Sequence, residues 1–145
     1  MKKSVKTLAF ITIASFLFNS AAAQLKLPGI NNGVAHDVKK VIEEHVSKNP
    51  VHILINNTGG PAAGPIIEAT EEAFLNTFNQ HLICNHILTK AVVPSMQKGG
   101  YGRIINIIST SVKIPLKNLG VSNTIRGAVA SWAKSMANEL GQYNI

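Results

Sequence analysis

ILINNTGG, residues Ile53–Gly60, is the stretch whose reading decides the fold. Together with Val51 and His52 it gives a short apolar run to Asn56, rich in β-branched residues and bounded by Pro50 and by Gly59-Gly60. Almost no alternation interrupts that run, which predicts a strand buried on both faces, as in a parallel sheet. A second run, Arg103–Ile108 within GRIINIIS (Gly102–Ser109), has the same character and the same kind of boundaries. Between them Thr70 can cap a helix with Glu71 and Glu72 in its first turn, where negative charge suits the helix dipole. Phe74, Leu75, Phe78, Leu82, Ile87 and Val92 carry that helix to Pro94. Upstream, Asp37 is a candidate cap for a helix with Val38, Val41, Ile42, His45 and Val46 on one stripe. Downstream, Val121, Ile125, Ala128, Val129, Trp132, Ala133, Met136, Ala137 and Leu140 step by three or four, with Gly141 as the stop. Helix, strand, long helix, strand and helix in this order form a βαβ pattern.

The 145 residues allow one domain. Residues 1–23 differ in character from the rest. Lys2, Lys3 and Lys6 precede the apolar run Leu8–Phe18, and Asn19-Ser20-Ala21-Ala22-Ala23 gives small residues before Gln24. That is the layout of a secretory signal peptide, with a run too short to span a bilayer as a stable membrane anchor. Residues 24–36, with Pro28, Gly29, Asn31, Asn32 and Gly33, read as a linker, which leaves 37–145 for the domain. The net charge of +7 includes the three leader lysines. The other cations are scattered, with no interleaved aromatics, so nucleic-acid binding has no support. A single cysteine, Cys84, excludes an intrachain disulfide, and no Cys/His spacing fits zinc. Cys84 lies in an apolar stretch and reads as a buried small hydrophobe.

Ser109 stands thirteen positions before Ser122, and Arg126 four after it. With ILINNTGG, GRIINIIS and RGAVASWAKSMANELGQYNI (Arg126–Ile145), this register resembles the short-chain dehydrogenases/reductases. In that family one strand runs into Asn-Asn-Ala-Gly, a second ends in a catalytic Ser, and a long helix carries Tyr-x-x-x-Lys. Here Ser122 fills the Tyr slot and Arg126 the Lys slot. SNTIR (Ser122–Arg126) is similar to the stretch that some members carry instead. The resemblance covers about residues 36–145. It implies an α/β fold: the central βαβα portion of a Rossmann-like, doubly wound parallel sheet, without the first glycine-turn unit and the C-terminal strand. A rival reading lays Leu8–Asn19 on the family's first strand and glycine turn. Ile11, Thr12, Ala14 and Ser15 fit, but the glycine slots hold Ile13, Phe16 or Leu17, and Asn19. Those glycines let backbone approach a pyrophosphate at a helix N-terminus, and large side chains would block it. The signal peptide is the favoured reading and predicts an exported or periplasmic protein; the rival predicts a cytoplasmic one.

The resemblance also implies candidate site residues. Ser109 would position the substrate oxygen, at the C-terminal end of a strand where open α/β sheets place their ligand crevice. A loop Ser bonding nearby backbone is the alternative. Ser122 is a far weaker acid than a phenol and cannot simply take over proton transfer; a helix-terminal residue or cap is its other reading. Arg126 keeps a charge for ribose hydroxyls or a phosphate, although its planar fork is not an ammonium; a solvated helix charge is the other reading. His81 falls where the family has an Asn and could anchor a water or act as acid or base, or be a partly buried helix histidine. Asn56, Asn57, Thr58 and Gly59 border the adenosine part of NAD or NADP in the family. A Ser–His hydrolase would need an orienting carboxylate, and the only Asp, Asp37, is remote.

For function, the resemblance implies an NAD(P)-dependent oxidoreductase, close to the 3-oxoacyl-carrier-protein reductases, acting on a small carbonyl or alcohol substrate. The missing phenol and Lys argue against efficient turnover. A non-catalytic module is the alternative, packing as a homo-oligomer through helices 70–92 and 121–140, as those helices do in the family. A truncated or fused gene product is the third reading. Two strands with open edges make a poor independent sheet, so stability without a partner is expected to be marginal.

Overall fold

The computed structural model describes residues 32–145, with side chains from Asp37 onward. The leader at 1–23, its rival reading as a first strand, and most of the linker lie outside the described residues. Within them, helix α1 (Asn32–Lys48) leads to strand β1 (Ile53–Asn56). A long helix follows as α2 (Glu71–Phe78), a π turn (Asn79–Ile83) and α3 (Cys84–Gly99). Strand β2 (Arg103–Asn106) and helix α4 (Gly120–Leu140) complete the order. The strands pair in parallel, Ile53 with Arg103 through Asn56 with Asn106, which is the expected strand–helix–strand unit.

Leu54 of β1 is fully buried, and Val38, Ile42, Val51, Cys84, Leu88, Val92 and Met96 pack into one cluster with it. Helices α1 and α3 therefore cover the face of the sheet that carries Leu54 and Ile104. Pleating sends Ile105 to the other face, where it is 46 % exposed. Strands buried on both faces were expected, and this is a correction. Among the described residues the second face is covered only in part, with Ile53 and Ile55 half-buried beside exposed Ile105, so the unalternating apolar run reports a potential for burial that these residues do not fully meet.

Helix boundaries depart from expectation in ways that have physical reasons. Asp37 does not cap α1, which starts at Asn32 and so takes Asn32–His36 from the linker. Val34 lies four residues before Val38, so the apolar spacing extends upstream. Val41 is exposed, which narrows the predicted stripe to Val38 and Ile42, with Val46 at its margin. Thr70 caps α2 as expected, its Oγ1 accepting from Ala73 N–H at 3.1 Å. Pro94 does not end α3; the helix runs on to Gly99 and stops where Gly100 takes φ +62°. At the other end of the chain α4 stops at Leu140 with Gly141 as its C-cap, as expected; Gly141 keeps helical angles, and the left-handed residue is Asn144 at φ +60°.

The π turn could not be read from spacing. Cys84 N–H reaches back five residues to the Asn79 carbonyl, which rotates the helix relative to its first two turns. The buried line then runs through Thr77, His81, Cys84, Asn85, Leu88, Thr89, Val92 and Met96. Leu75 and Phe78, expected to sustain the core face, lie exposed instead.

A clamp closes the top of the sheet. Gly64 N–H donates to the Asn118 carbonyl at 2.7 Å, and Gly64 pairs with Leu119 as an isolated parallel bridge. Gly120 then passes so close to Ile66 that an added Cβ would lie 2.7 Å from the Ile66 Cα. Backbone cannot yield as a side-chain tip does. Gly120→Ala should therefore destabilise by about 1–3 kcal/mol, read as a lower urea midpoint, while Gly127→Ala, with open space around it, should not.

Candidate functional site

The loops that leave the C-terminal ends of β1 and β2 meet the first turns of α4 and the π turn. Thr58 and Gly59 come from the first loop, Ser109 from the second, Ser122 and Arg126 from α4, and His81 from the π turn. Parallel pairing in register brings the two loops together, and the π turn directs His81 inward, where it is 2 % exposed.

Thr58 Oγ1 lies 2.5 Å from His81 Nδ1, a hydrogen bond between the Asn-Asn-Thr-Gly-Gly turn and the long helix. His81 Nε2 is buried with no partner. Burial first, and then the positive charge of Arg126, lower the His81 pKa to about 4, against a smaller upward pull from a backbone hydrogen bond at Gly59. The ring is thus neutral at pH 7, and as a general acid there it would be poorly matched. Anchoring a water or a ligand suits a neutral imidazole better.

Arg126 donates from Nη1 to the Ile107 carbonyl at 3.2 Å, which ties α4 to the chain just ahead of Ser109. Burial pushes its pKa down, yet a guanidinium keeps its charge at any ordinary pH. Ser109 is half-buried and extended, and its Oγ accepts from Ser111 N–H at 3.1 Å. This is the backbone-bonded loop serine that the sequence leaves open as an alternative. An accepting hydroxyl still has its own proton to donate, so the bond orients Ser109 without disabling it.

Ser122 lies in the first turn of α4 but is not its cap, a place held by Leu119 without a side-chain bond. It is buried and makes no side-chain hydrogen bond among the described residues. No bond joins Ser109, Ser122 and His81 to one another. Asn56 stands apart: it is buried at the end of β1, and its Nδ2 donates to Asn106 Oδ1 across the strand pair at 2.8 Å. Asn57 and Gly59 are exposed on the turn, where Gly60 has open space at its Cα. Cys84, buried in the core with its thiol pushed up to about 11, is inert packing.

Two neighbouring features were not foreseen. One is the Gly64–Asn118 clamp with Gly120 against Ile66; a glycine opening a helix was the only trace of it in sequence. The other is a pocket of about 470 Å³ beside the start of α4, lined among others by Ile66, Ser111, Pro115, Asn123 and Gly127. It is lined by the 110–120 loop that follows Ser109 but by none of the expected site residues. Among the described residues no group of three or more His, Cys, Asp or Glu could hold a metal, and no helix is long and apolar enough to cross a membrane.

The short chain dehydrogenase family model matches residues 29–145. Dehydrogenase/reductase SDR family member 4 of Sus scrofa is 34% identical over 115 residues, covering 78% of this chain and 41% of that protein. Carbonyl reductase [NADPH] 2, also of Sus scrofa, is 32% identical over 97 residues, covering 66% of this chain and 40% of that protein. A crystal structure of a short-chain dehydrogenase from Streptomyces avermitilis superposes with a TM-score of 0.72 at 23% identity, covering 77% of this chain and 41% of that one. The chain thus spans about two fifths of the length of these proteins. With its parallel strand pair, its turn after β1 and its Ser at the end of the second strand, the chain belongs to the short-chain dehydrogenase family.

Proposed function

We propose that the chain serves an NAD(P)-dependent oxidoreductase acting on a small carbonyl or alcohol substrate, of the 3-oxoacyl-carrier-protein reductase kind. The observation that carries this reading is the convergence of Thr58, Gly59, His81, Ser109 and Arg126 where two parallel strands end, the place where open α/β sheets bind ligands. The similarity to an enzyme named as an NADPH-dependent carbonyl reductase supports the cofactor class. The residues fit a nicotinamide nucleotide along one side: Gly59 and Gly60 are exposed, Gly60 is sterically open, and Arg126 has donors left over beyond its bond to the Ile107 carbonyl. Bound there, NAD(P) would supply or accept a hydride.

The chain's own residues would do the rest. Ser109, held by Ser111 N–H, donates its proton to the substrate oxygen and fixes the carbonyl. His81, held by Thr58, offers Nε2 to a water or ligand atom. Arg126 holds ribose hydroxyls or an anion. Ser122 is too weak an acid to replace a phenol, so turnover is expected to be slow and to draw its proton from water.

The test is NADPH oxidation with an acetoacetyl thioester. Slow turnover is expected, and Ser109→Ala should reduce it by roughly a hundredfold through loss of substrate positioning. A rate that Ser109→Ala leaves unchanged would refute the assignment. A second reading is favoured by exposed Leu75 and Phe78 on the long helix: a non-catalytic module that forms homo-oligomers through helices 70–92 and 121–140. A strictly monomeric species in sedimentation would count against it. The leader, read as a signal peptide, adds export as a proposal; N-terminal sequencing of the secreted fraction would find Gln24 first.

A further inference from the structure

Residues 57–63 lead from the end of β1 to the Gly64 clamp with almost no bonds of their own. Upstream the chain is fixed, the Asn56 carbonyl accepting from Ile107 N–H at 2.8 Å, and downstream Gly64 N–H donates to the Asn118 carbonyl. Between those points no residue makes a backbone–backbone hydrogen bond to another described residue, and Asn57, Gly59, Gly60, Ala62 and Ala63 are exposed. Two adjacent glycines add conformational freedom, and a stretch with so few contacts opens readily unless something restrains it. One ring does. Thr58 Oγ1 lies 2.5 Å from His81 Nδ1, the only side-chain hydrogen bond of the stretch among the described residues, and the Gly59 backbone bonds the same imidazole. Thr58 is half-buried and His81 is 2 % exposed, so little water competes for their bond. His81 is itself firmly set. It lies in the π turn closed by Cys84 N–H on the Asn79 carbonyl, on the buried line that continues through Cys84, Asn85 and Leu88.

We infer that His81 is the positioning residue of the turn after β1: its imidazole holds Thr58 and Gly59 and so fixes where the Gly59–Gly60 backbone stands for a ligand. The inference deepens the oxidoreductase reading and rests on it for one point only, that the ligand is a nicotinamide nucleotide. In this role the ring needs no contact with the ligand. It acts by removing beforehand the loop disorder that binding would otherwise have to quench. Thr58 is then the residue through which the long helix sets nucleotide affinity.

The experiment uses the full chain and two readouts: nitrogen-15 relaxation of the Gly59 and Gly60 amides without nucleotide, and NADPH affinity by nicotinamide fluorescence. In the unaltered chain both amides should be ordered, with order parameters of about 0.85. Thr58→Val keeps the shape of the side chain and loses the hydroxyl. It should lower both order parameters below about 0.6 and weaken NADPH binding roughly three- to tenfold, the worth of one hydrogen bond. Thr58→Ser, which keeps a hydroxyl, should restore order and affinity together. Should Thr58→Val not fold, His81→Leu, apolar and of similar size, takes its place with the same expectations. Amides already mobile in the unaltered chain, or as ordered in Thr58→Val as before, overturn the inference. A loosened turn that binds NADPH as tightly also overturns it, because the bond is then merely structural. If the unaltered chain binds no NADPH, the oxidoreductase reading falls and the relaxation data alone decide the positioning role; NADPH binding that Thr58→Val leaves unweakened does the reverse.

Discussion

Acidification from pH 6.5 to about 4 should cost the folded protein roughly 2 kcal/mol through His81 alone, somewhat less than its full shift allows. The sign depends on which state takes up the proton. Unfolded, the imidazole titrates near its usual 6.5; folded, it resists protonation until about 4, chiefly because it is buried and then because Arg126 is close. Between those values the unfolded chain binds more protons, so stability is full above pH 6.5 and falls as the pH drops through the window. Chemical denaturation at several pH values measures the slope. His81→Asn should flatten this component, whatever it does to stability at pH 7. An equal slope in His81→Asn would mean that other groups carry the acid sensitivity.

Leu54→Ala should destabilise by about 3 kcal/mol and leave little folded protein at body temperature. Leu54 is fully buried at the centre of the cluster that joins α1, β1 and α3. Its removal leaves a cavity that three elements line, and with one sheet face only partly covered there is little stability in reserve. Ile105→Ala, on that face, should cost much less, because 46 % of Ile105 is already in contact with solvent. Thermal melting by circular dichroism separates the two. Equal losses would show that the second sheet face is buried in solution.

Much of this architecture was legible in sequence because each element carries a local signal. Thr70 with Glu71 and Glu72 announced the start of α2, and the threonine bond to Ala73 N–H is there. Val121, Ile125 and Val129 gave the buried line of α4. The apolar runs at Ile53 and Arg103 gave two parallel strands, and nothing in them could say which face would be the less covered. The π turn was illegible because it changes the phase of one helix without any residue that demands it. That phase decides that His81 faces inward while Leu75 and Phe78 face out. For the same reason the site was half legible. The spacing of Ser109, Ser122 and Arg126 located it, but the Thr58–His81 bond is a tertiary contact across 23 residues, and local pattern cannot show it. Asn56 shares the turn's sequence, yet its Nδ2 donates to Asn106 inside the sheet, a contact across 50 residues that local pattern cannot show either.

Whether the loops after β1 and β2 still form a nicotinamide nucleotide site is tested most directly by titrating the full chain with NADPH and following the fluorescence of the bound nicotinamide. A saturable fluorescence change that Arg126→Gln weakens is the predicted result. No change at millimolar NADPH would contradict it.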